Sequence, residues 1–260
     1  MQPAKPTLKV RFATTGEEIR AAQRLRYRVF VEEMGAEPSP EDRADRLERD
    51  RYDPYFDHLI LVDEARQVDD PLDGVVGVYR LMRGSVAARG IGFYSQDEYD
   101  LTPLVATGRE TLELGRSCVH PEYRGGLAMH LMWNGLGAYV IEHGVEILFG
   151  VASFHGADPV PLAQPLSYLH HNHLAPEDLR VRAVEDRFTP MDMLGPGEID
   201  KAAALRAIPP LIKSYLRLGG FVGEGAFVDE GFNTVDVCLV MDTARMQDKV
   251  RQMYTRAAGA

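Results

Sequence analysis

The segment 113–128, ELGRSCVHPEYRGGLA, constrains the fold of this chain more than any other part of the sequence. An apolar run ends at Pro121, and Arg124-Gly125-Gly126 then opens a long stretch with helical periodicity. Glycine lets the backbone approach a ligand closely, and the first turn of a helix offers unpaired N–H groups and a positive dipole to a phosphate. The segment therefore predicts a strand, a tight turn and a helix whose start faces an anionic ligand.

Strand-like and helical patterns succeed one another along the rest of the chain. The predicted order is a strand (8–13), a helix (17–34), two antiparallel strands (58–63 and 74–82), a strand (111–119), a helix (126–143), a buried strand (147–154), a helix (208–217), a closing strand pair (221–228 and 234–241) and a terminal helix (243–258). The proline-rich stretch 155–207 predicts an insert of irregular structure. We expect one α+β domain over 1–260, with a mixed central sheet and flanking helices in three layers.

Composition excludes several classes of protein. The net charge of −10 argues against non-specific binding to nucleic acid. Cys118 and Cys238 are the only cysteines, which predicts neither a disulfide framework nor a zinc site built from several cysteines. No apolar run approaches the roughly 20 residues that span a bilayer, and the first residues do not resemble a secretory signal. We therefore expect a cytoplasmic protein whose membrane contact, if any, is peripheral.

Three short motifs occur in a fixed order: LRYRVF at 25–30, ERDRYD at 48–53 and ELGR at 113–116. They resemble the motifs of the acyl-homoserine lactone synthases, a branch of the GNAT superfamily of acyltransferases. The strand-to-helix junction after residue 119 resembles the GNAT segment whose backbone amides hold the pantetheine or pyrophosphate of the donor. The resemblance implies the GNAT fold, with two parallel strands that splay apart.

The same resemblance implies a donor-binding segment and a class of donor. The residues that match this segment are Ser117, Cys118, Val119, Arg124, Gly125, Gly126 and Ala128. Tyr123 departs from the usual Gln/Arg-x-x-Gly-x-Gly/Ala pattern, which disfavours recognition of a coenzyme A pyrophosphate. It favours a carrier protein, whose pantetheine arm bears a single phosphate. No tightly bound cofactor is expected, and the co-substrate is an acyl-phosphopantetheine thioester on acyl carrier protein, with acyl-CoA as the alternative.

Other parts of the chain do not fit the lactone synthases. YLHHNHL at 168–174 and GFNT at 231–234 are similar to the bacterial ornithine N-acyltransferases, and this resemblance runs from about residue 8 to residue 241. It implies transfer of a 3-hydroxyacyl chain from acyl carrier protein to the α-amine of L-ornithine, giving lyso-ornithine lipid. The alternatives are acyl-homoserine lactone synthesis from S-adenosylmethionine, acetylation of a small molecule from acetyl-CoA, and a degenerate domain that only binds.

An amino acid such as ornithine needs carboxylates for its distal ammonium and an arginine for its carboxylate. Glu48, Asp50 and Asp53 are the candidates for the first task, and Arg80 or Arg116 for the second. Composition alone favours a different interpretation, in which the stretch 41–57 is a charged surface loop with too little apolar content for a core element. The ordered motifs favour a site.

Amide formation also needs a neutral amine and a thiolate that can be protonated. Glu113 is the candidate general base, directly or through water, and Arg116 shares its strand. Strict alternation would point the two to opposite faces, so a bulge at Gly115 is expected to bring them together. A structural ion pair between them is the alternative. Tyr215 occupies a place similar to that of the GNAT tyrosine that protonates the departing thiol, which implies the role of acid, although a tyrosine in a core helix is commonly there for packing.

Two basic or metal-like patterns have simpler explanations. Arg20, Arg24 and Arg28 recur every four residues on the first helix, which suits either a solvated face or docking of an acidic partner such as acyl carrier protein. The histidines of YLHHNHL diverge on a helix, so no metal site is predicted there. An apolar surface for peripheral membrane docking is expected in the insert, at Leu162, Leu166, Leu169, Leu174 and Leu179, or else on the terminal helix.

Overall fold

The computed structural model describes residues 6–245. This part of the chain forms two compact units whose segments alternate along the sequence. The first unit holds the residues up to Met82 and Leu114–Gly144, and the second holds Arg83–Glu113 and the residues from Val145 onward. One strand, over residues 111–119, therefore runs from one unit into the other.

The strands and α-helices follow in chain order. They are β1 (Leu8–Phe12), α1 (Gly16–Arg26), α2 (Pro40–Asp45), β2 (Asp57–Asp63), β3 (Val75–Arg83), α3 (Gly84–Ala87), β4 (Tyr99–Asp100), α4 (Thr102–Val105), β5 (Thr111–Val119), α5 (Gly126–Glu142), β6 (Ile147–His155), α6 (Ala163–His173), β7 (Arg182–Ala183), β8 (Phe188–Thr189), α7 (Lys201–Ala207), α8 (Pro210–Arg217), β9 (Phe221–Val222), β10 (Ala226–Asp229) and β11 (Thr234–Asp242).

In the first unit the sheet order is β1-β2-β3-β5, and β2 pairs antiparallel with both β1 and β3. Helix α5 packs closely against this sheet, because Gly135 leaves no side chain in the way. A Cβ at Gly135 would lie 2.6 Å from Cγ1 of Val10, closer than real carbon atoms approach. The sheet and helix α5 therefore form two layers in direct contact.

Helix α1 begins with a capping box, in which the Thr15 hydroxyl accepts from the Glu18 amide and the Glu18 carboxylate accepts from the Thr15 amide. The predicted helix over 17–34 continues past α1 as a π-helix over Tyr27–Glu33. Its apolar residues, among them Ala22 and Leu25, pack on Ile60, Val75, Val78 and Cys118. The π-helical turn follows directly on Arg26, which lies in the candidate site described below.

In the second unit β6 lies between β5 and β11. The predicted parallel pairing is confirmed, since Thr111–Glu113 pair with Ile147–Phe149. β6 continues to His155 beyond this short parallel pairing, and β11 runs antiparallel to it along its whole length. β10 and β8 extend the sheet on the far side of β11. The predicted α+β fold with a mixed sheet is confirmed.

Two expectations about secondary structure are changed by the structure. The strand predicted over 221–228 is divided into β9 and β10, because the chain turns at Gly225, where φ is +77°. The insert over 155–207 lies in the second unit and contains the whole of α6 and α7. The predicted terminal helix lies outside the described residues beyond Arg245.

The structure also changes the expectation for the leucines of the insert. Leu166, Leu169 and Leu179 are buried, so they form a local core and are not available as an apolar docking surface. Leu162 and Leu174 are half-buried. Within residues 6–245 no helix combines the length and apolarity needed to cross a membrane. Peripheral membrane contact and a cytoplasmic location remain predictions.

Candidate active site

Six charged side chains of the first unit form one network, in which three arginines face three carboxylates. They are Arg26, Arg80, Arg116, Glu48, Asp50 and Asp53. Both Arg26 and Arg80 are fully buried. The formal charges of the six balance, which is what a desolvated cluster needs in order to remain ionised.

Arg26 lies at the C-terminal end of α1 and connects two of the carboxylates. Its Nε donates to Glu48, and its Nη1 lies 2.5 Å from Oδ1 of Asp53. One turn earlier Gln23 donates to the other oxygen of Asp53 over 2.9 Å. Sequence reasoning did not assign Arg26 to the site. The available signal was an arginine next to Leu25 on an otherwise apolar helix face, where a charge needs a buried partner.

Arg80 projects from β3 and is shared between two aspartates. Its Nη1 lies 2.8 Å from Oδ1 of Asp50 and 2.7 Å from Oδ1 of Asp53. The guanidinium lies 4.4 Å from the ring centroid of Phe56, a cation–π contact. Nε and Nη2 of Arg80 make no hydrogen bond within the described residues. The backbone of Gly115 lies beside these two nitrogens, since a Cβ there would be 3.9 Å from each.

Arg116 enters the network through an unusual backbone conformation. Its φ is +52°, in the left-handed region, which costs a non-glycine residue roughly 1–3 kcal/mol. Its Nε lies 3.1 Å from Oε1 of Glu48, and its Nη2 lies 3.6 Å from Oδ2 of Asp50. The irregularity expected at Gly115 is thus found one residue later. Because the backbone turns here, the Arg116 side chain reaches the carboxylates.

The arginines set the ionisation of the carboxylates. Burial alone would raise the pKa of Glu48, but Arg26 and Arg116 outweigh it and lower that pKa to about 2. Burial likewise opposes ionisation of Asp53, and Arg26 and Arg80 lower its pKa despite this. The neighbouring His58 has a lowered pKa because it is buried, so its imidazole is neutral.

Asp50 differs from the other two carboxylates. Its Oδ1 accepts from Arg80 and from the backbone amides of Tyr52 and Asp53, whereas its Oδ2 has no hydrogen-bond partner within the described residues. Its side chain is 18% exposed, compared with 9% for Glu48 and 6% for Asp53. Asp50 is therefore the member of the network with acceptor capacity left for a ligand.

The structure thus brings together all the residues predicted for the acceptor: Glu48, Asp50, Asp53, Arg80 and Arg116. The alternative of a charged surface loop is wrong for Glu48 and Asp53, which are buried together with Leu47, Tyr52 and Phe56. Their role in binding an acceptor stays a prediction.

The predicted donor segment also lies in the first unit. Gly125, with φ +148°, is the N-cap residue of α5, and as a glycine it has no side chain with which to cap that helix N-terminus. Arg124 forms a bidentate ion pair with Glu33, at 2.6 and 2.5 Å, and its Nε donates to the carbonyl of Val119. The pair ties the turn to the end of the π-helix. The side chains of Cys118 and Ala128 face the core, so these two can contribute to a donor site only through the backbone.

Tyr123 anchors the same turn. Its hydroxyl donates to Oδ2 of Asp63 over 2.8 Å, and the guanidinium of Arg66 lies 5.4 Å from its ring centroid. Burial and the bond to Asp63 raise its pKa, so the phenol is neutral. The departure from the usual pattern therefore has a structural explanation, in that the tyrosine fastens the turn to β2.

Glu113 lies on β5 in the second unit and is 1% exposed. Its carboxylate accepts from the amides of Tyr94 and Ser95, at 2.9 and 2.6 Å, and from the Ser95 hydroxyl at 2.6 Å. Tyr94 and Ser95 were not predicted from sequence, because they lie in an irregular 3₁₀ turn that carries no motif. Three donors fix the orientation of this carboxylate.

The remaining predicted residues have the following surroundings. Tyr215 is 3% exposed on α8, which packs against β11 in the second unit. Ser117 is half-buried on β5. His171, in the histidine-rich helix α6, has its Nε2 at 3.0 Å from the carbonyl oxygen of Leu194. The acid role of Tyr215 and the donor role of Ser117 stay predictions.

The arginine stripe on α1 is partly neutralised. Arg24 lies 3.6 Å from Asp70, and Arg28 lies 3.4 Å from Asp73 and 2.7 Å from Nε2 of His120. Arg20 is exposed. The stripe therefore offers an incoming acidic protein less positive charge than the sequence pattern predicts.

Comparison with known proteins adds to this geometry. Residues 25–134 match the acetyltransferase (GNAT) domain family. The chain is 57% identical to the L-ornithine N(alpha)-acyltransferase of Rhodobacter capsulatus, with 98% of each chain covered. It is 44% identical to the L-ornithine N(alpha)-acyltransferase of Brucella abortus, over 95% of this chain and 89% of that protein.

Solved structures with the same fold include two acyl-transferring enzymes. An N-acyl amino acid synthase from uncultured soil microbes superposes with a TM-score of 0.53 at 11% identity, over 98% of this chain and 99% of the other. A CoA-dependent acyl-homoserine lactone synthase superposes with a TM-score of 0.52 at 14% identity, over 98% and 90%. At these identities the likeness is one of fold.

Proposed function

The chain belongs to the family of the L-ornithine N(alpha)-acyltransferases and is an acyltransferase of the GNAT fold, and on that premise we propose that it transfers a 3-hydroxyacyl chain from acyl carrier protein to the α-amine of L-ornithine. The product would be lyso-ornithine lipid. The observation that carries the proposal is the 57% sequence identity to a relative named L-ornithine N(alpha)-acyltransferase. The aligned region covers 98% of this chain and so includes both units. The geometry of Glu113 and of the arginine–carboxylate network supports it.

The reaction forms one amide bond and breaks one thioester bond. The α-ammonium of ornithine must first lose a proton, after which the amine nitrogen attacks the thioester carbonyl, and the pantetheine thiolate leaves and takes up a proton. Glu113 is the proposed base, acting directly or through water. Its orientation is held by Ser95 and Tyr94, and its two oxygens are acceptors. Tyr215 is the proposed acid for the thiolate.

The acceptor is proposed to bind through the least satisfied members of the network in the first unit. Asp50 would receive the distal ammonium, because its Oδ2 has acceptor capacity. Arg80 has two nitrogens without hydrogen-bond partners within residues 6–245 and would receive the carboxylate. Arg116, which lies beside Asp50, is the second candidate. Glu48 and Asp53, which are saturated by arginines, would hold the network in shape.

The donor is proposed to bind at the start of α5. The amides around Gly125 and Gly126 have no side-chain cap, and a phosphate of the pantetheine arm would complement them. Arg124 stands beside this turn but is engaged with Glu33. Acyl carrier proteins are acidic, and Arg20 is the stripe residue best placed to attract one. Acyl-CoA is the alternative donor.

The test is a reconstituted transfer assay with purified protein. Acyl carrier protein loaded with a 3-hydroxyacyl chain, together with L-ornithine, should yield N-acyl-ornithine and the free thiol of the carrier protein. Mass spectrometry detects both products. Parallel reactions replace ornithine by S-adenosylmethionine, or the carrier by acetyl-CoA. Lipids from cells that express the chain, grown with and without added ornithine, give the same comparison in vivo. Production of a homoserine lactone, or efficient transfer only from acetyl-CoA, would contradict the proposal.

A further inference from the structure

Three carboxylates of the second unit lie close together, apart from the residues discussed so far. Glu98, Asp229 and Asp236 each offer an oxygen atom, and these oxygens all lie within 4.8 Å of one another. Glu98 and Asp236 are each 3% exposed, and Asp229 is half-buried. The three come from separate parts of the chain: Glu98 follows a 3₁₀ turn, Asp229 ends β10, and Asp236 lies on β11.

A buried hydroxyl group points to the same place. Thr234 pairs with Asp229 across β10 and β11, so both side chains leave the sheet on one face. Asp236, two residues further along β11, lies on that face as well. Thr234 is 2% exposed, and its Oγ1 has no hydrogen-bond partner within residues 6–245. A buried hydroxyl of this kind is costly unless a ligand completes it.

We propose that Glu98, Asp229, Asp236 and Thr234 form a binding site for a hard divalent cation, Ca²⁺ or Mg²⁺. All four offer oxygen, and such cations select oxygen ligands. Opposite ligands of Ca²⁺ stand roughly 4.6–5.2 Å apart, and those of Mg²⁺ roughly 4.0–4.2 Å apart. The 4.8 Å limit on the carboxylate oxygens accommodates either ion. The half-buried Asp229 provides the route of entry.

The ammonium group of the proposed acceptor is a less suitable occupant. Glu113 pairs with Phe149 of β6, and Phe149 pairs with Val240 of β11. Asp236 lies four residues from Val240 along β11, or roughly 13 Å at the usual rise of a strand. The backbone positions of Glu113 and Asp236 are therefore farther apart than the two amino groups of ornithine. The burial of Glu98 and Asp236 also favours a bare ion over an organic cation.

The position of Glu98 indicates what the ion would do. The 3₁₀ turn over Tyr94–Asp97 supplies the donors that hold Glu113, and Glu98 comes directly after it. A cation bound to Glu98 and to the β10–β11 hairpin would fasten this turn to the sheet. The ion would thereby stabilise the surroundings of Glu113 without touching the reacting groups.

Calorimetric titration and thermal unfolding of the full chain, freed of metal with a chelator, test the site. We expect one equivalent of Ca²⁺ or Mg²⁺ to bind per chain and to raise the unfolding temperature. Asp236→Asn should weaken binding at least tenfold, and Thr234→Val several-fold. In the metal-free protein Thr234→Val should unfold at the same or a higher temperature, because it removes an unsatisfied hydroxyl. Glu230→Gln, an exposed neighbour, should behave like the unaltered protein.

Two outcomes would overturn the proposal. One is that neither ion, at concentrations up to about 10 mM, shifts the unfolding temperature or gives a heat of binding. That concentration exceeds the dissociation constants of the weakest protein sites for Ca²⁺. The other is a shift caused by ornithine, and not by the metals, that Asp236→Asn abolishes, since this would make the cluster an ammonium site. If Asp236→Asn does not fold, as judged by circular dichroism, Thr234→Val carries the test. None of these readouts depends on transfer activity, so failure here leaves the proposed function untouched.

Discussion

The charge network of the first unit and Glu113 of the second unit hold their buried carboxylates with different groups. In the first unit Glu48 and Asp53 are neutralised by arginines within the protein, and the pKa of Glu48 falls to about 2. In the second unit Glu113 is oriented by two amides and a hydroxyl, and Glu98 and Asp236 lie beside a third carboxylate. A carboxylate fully paired with arginine is stable but has little capacity left for chemistry. One held by neutral donors remains able to take part in proton transfer.

The largest expected effect is on the carboxylate held by neutral donors. Glu113→Gln keeps the shape of the side chain and removes the base, so kcat should fall about 10²–10⁴-fold. The KM for ornithine should change little, and the unfolding temperature should fall modestly, because glutamine, whose amide nitrogen is not an acceptor, cannot accept from both Tyr94 and Ser95. Steady-state kinetics with acyl carrier protein as donor measure this, and Glu142→Gln, an exposed glutamate, is the matched control. An unchanged kcat would leave Glu113 with a structural role only.

The arginine-paired carboxylates should respond in stability instead. Arg26→Met leaves Glu48 and Asp53 without their common buried partner, and we expect a loss of about 3–5 kcal/mol in the free energy of unfolding. Denaturant unfolding measures the loss. Arg43→Ala, which breaks an ion pair whose arginine is 65% exposed, should cost less than about 1 kcal/mol. Equal losses in the two variants would mean that the network is not stabilising.

Asp50 and Asp53 separate binding from stability inside the network. Asp50→Asn should raise the KM for ornithine roughly tenfold, about 1.4 kcal/mol of lost binding. Its unfolding temperature should fall less than that of Asp53→Asn, because the amide oxygen can still accept from Arg80 and Tyr52. Asp53→Asn should lower the unfolding temperature, because Arg26, Arg80 and Gln23 all depend on it. If Asp50→Asn weakens the donor and the acceptor equally, Asp50 does not contact ornithine.

Acid should weaken the first unit through Glu48. Its pKa is lowered in the folded state to about 2 from an ordinary value of 4.5, so its contribution to stability is complete above about pH 5. That contribution should be lost as the pH falls from about 5 towards 2. Denaturant unfolding at several pH values measures the slope. Glu48→Gln should show a shallower slope, and an identical slope would mean that Glu48 has the same pKa in the folded and unfolded states.

The smallest effect is expected at the arginine stripe. Arg20→Glu should slow transfer from acyl carrier protein a few-fold at low salt, and the deficit should shrink as salt is added. Transfer from a short pantetheine thioester should be unaffected. Arg89→Glu makes the same charge change at another exposed position and serves as the control. Equal losses with both donors would mean that Arg20 acts through folding.

The sequence by itself determined the order and type of the main elements. The strand, turn and helix over 111–143 appear where glycine, proline and apolar periodicity predict them. These are local properties of the chain, so they can be predicted without knowing which elements pack against each other. The short motifs also contain four of the predicted members of the charge network, and Arg80 was added because an arginine suits the carboxylate of an amino-acid ligand.

Only the tertiary structure decided how these residues are used. Arg26 and Ser95 became part of the sites because helix α1 and an irregular turn bring them to carboxylates distant in sequence. The cluster of Glu98, Asp229 and Asp236 depends on strand register and on the place of one turn. The charge balance, burial and hydrogen bonding of a side chain depend on all the residues that surround it in the folded protein. A residue's neighbours along the chain do not contain that information, and for this reason Asp50 and Asp53 look equivalent in the sequence and differ in the fold.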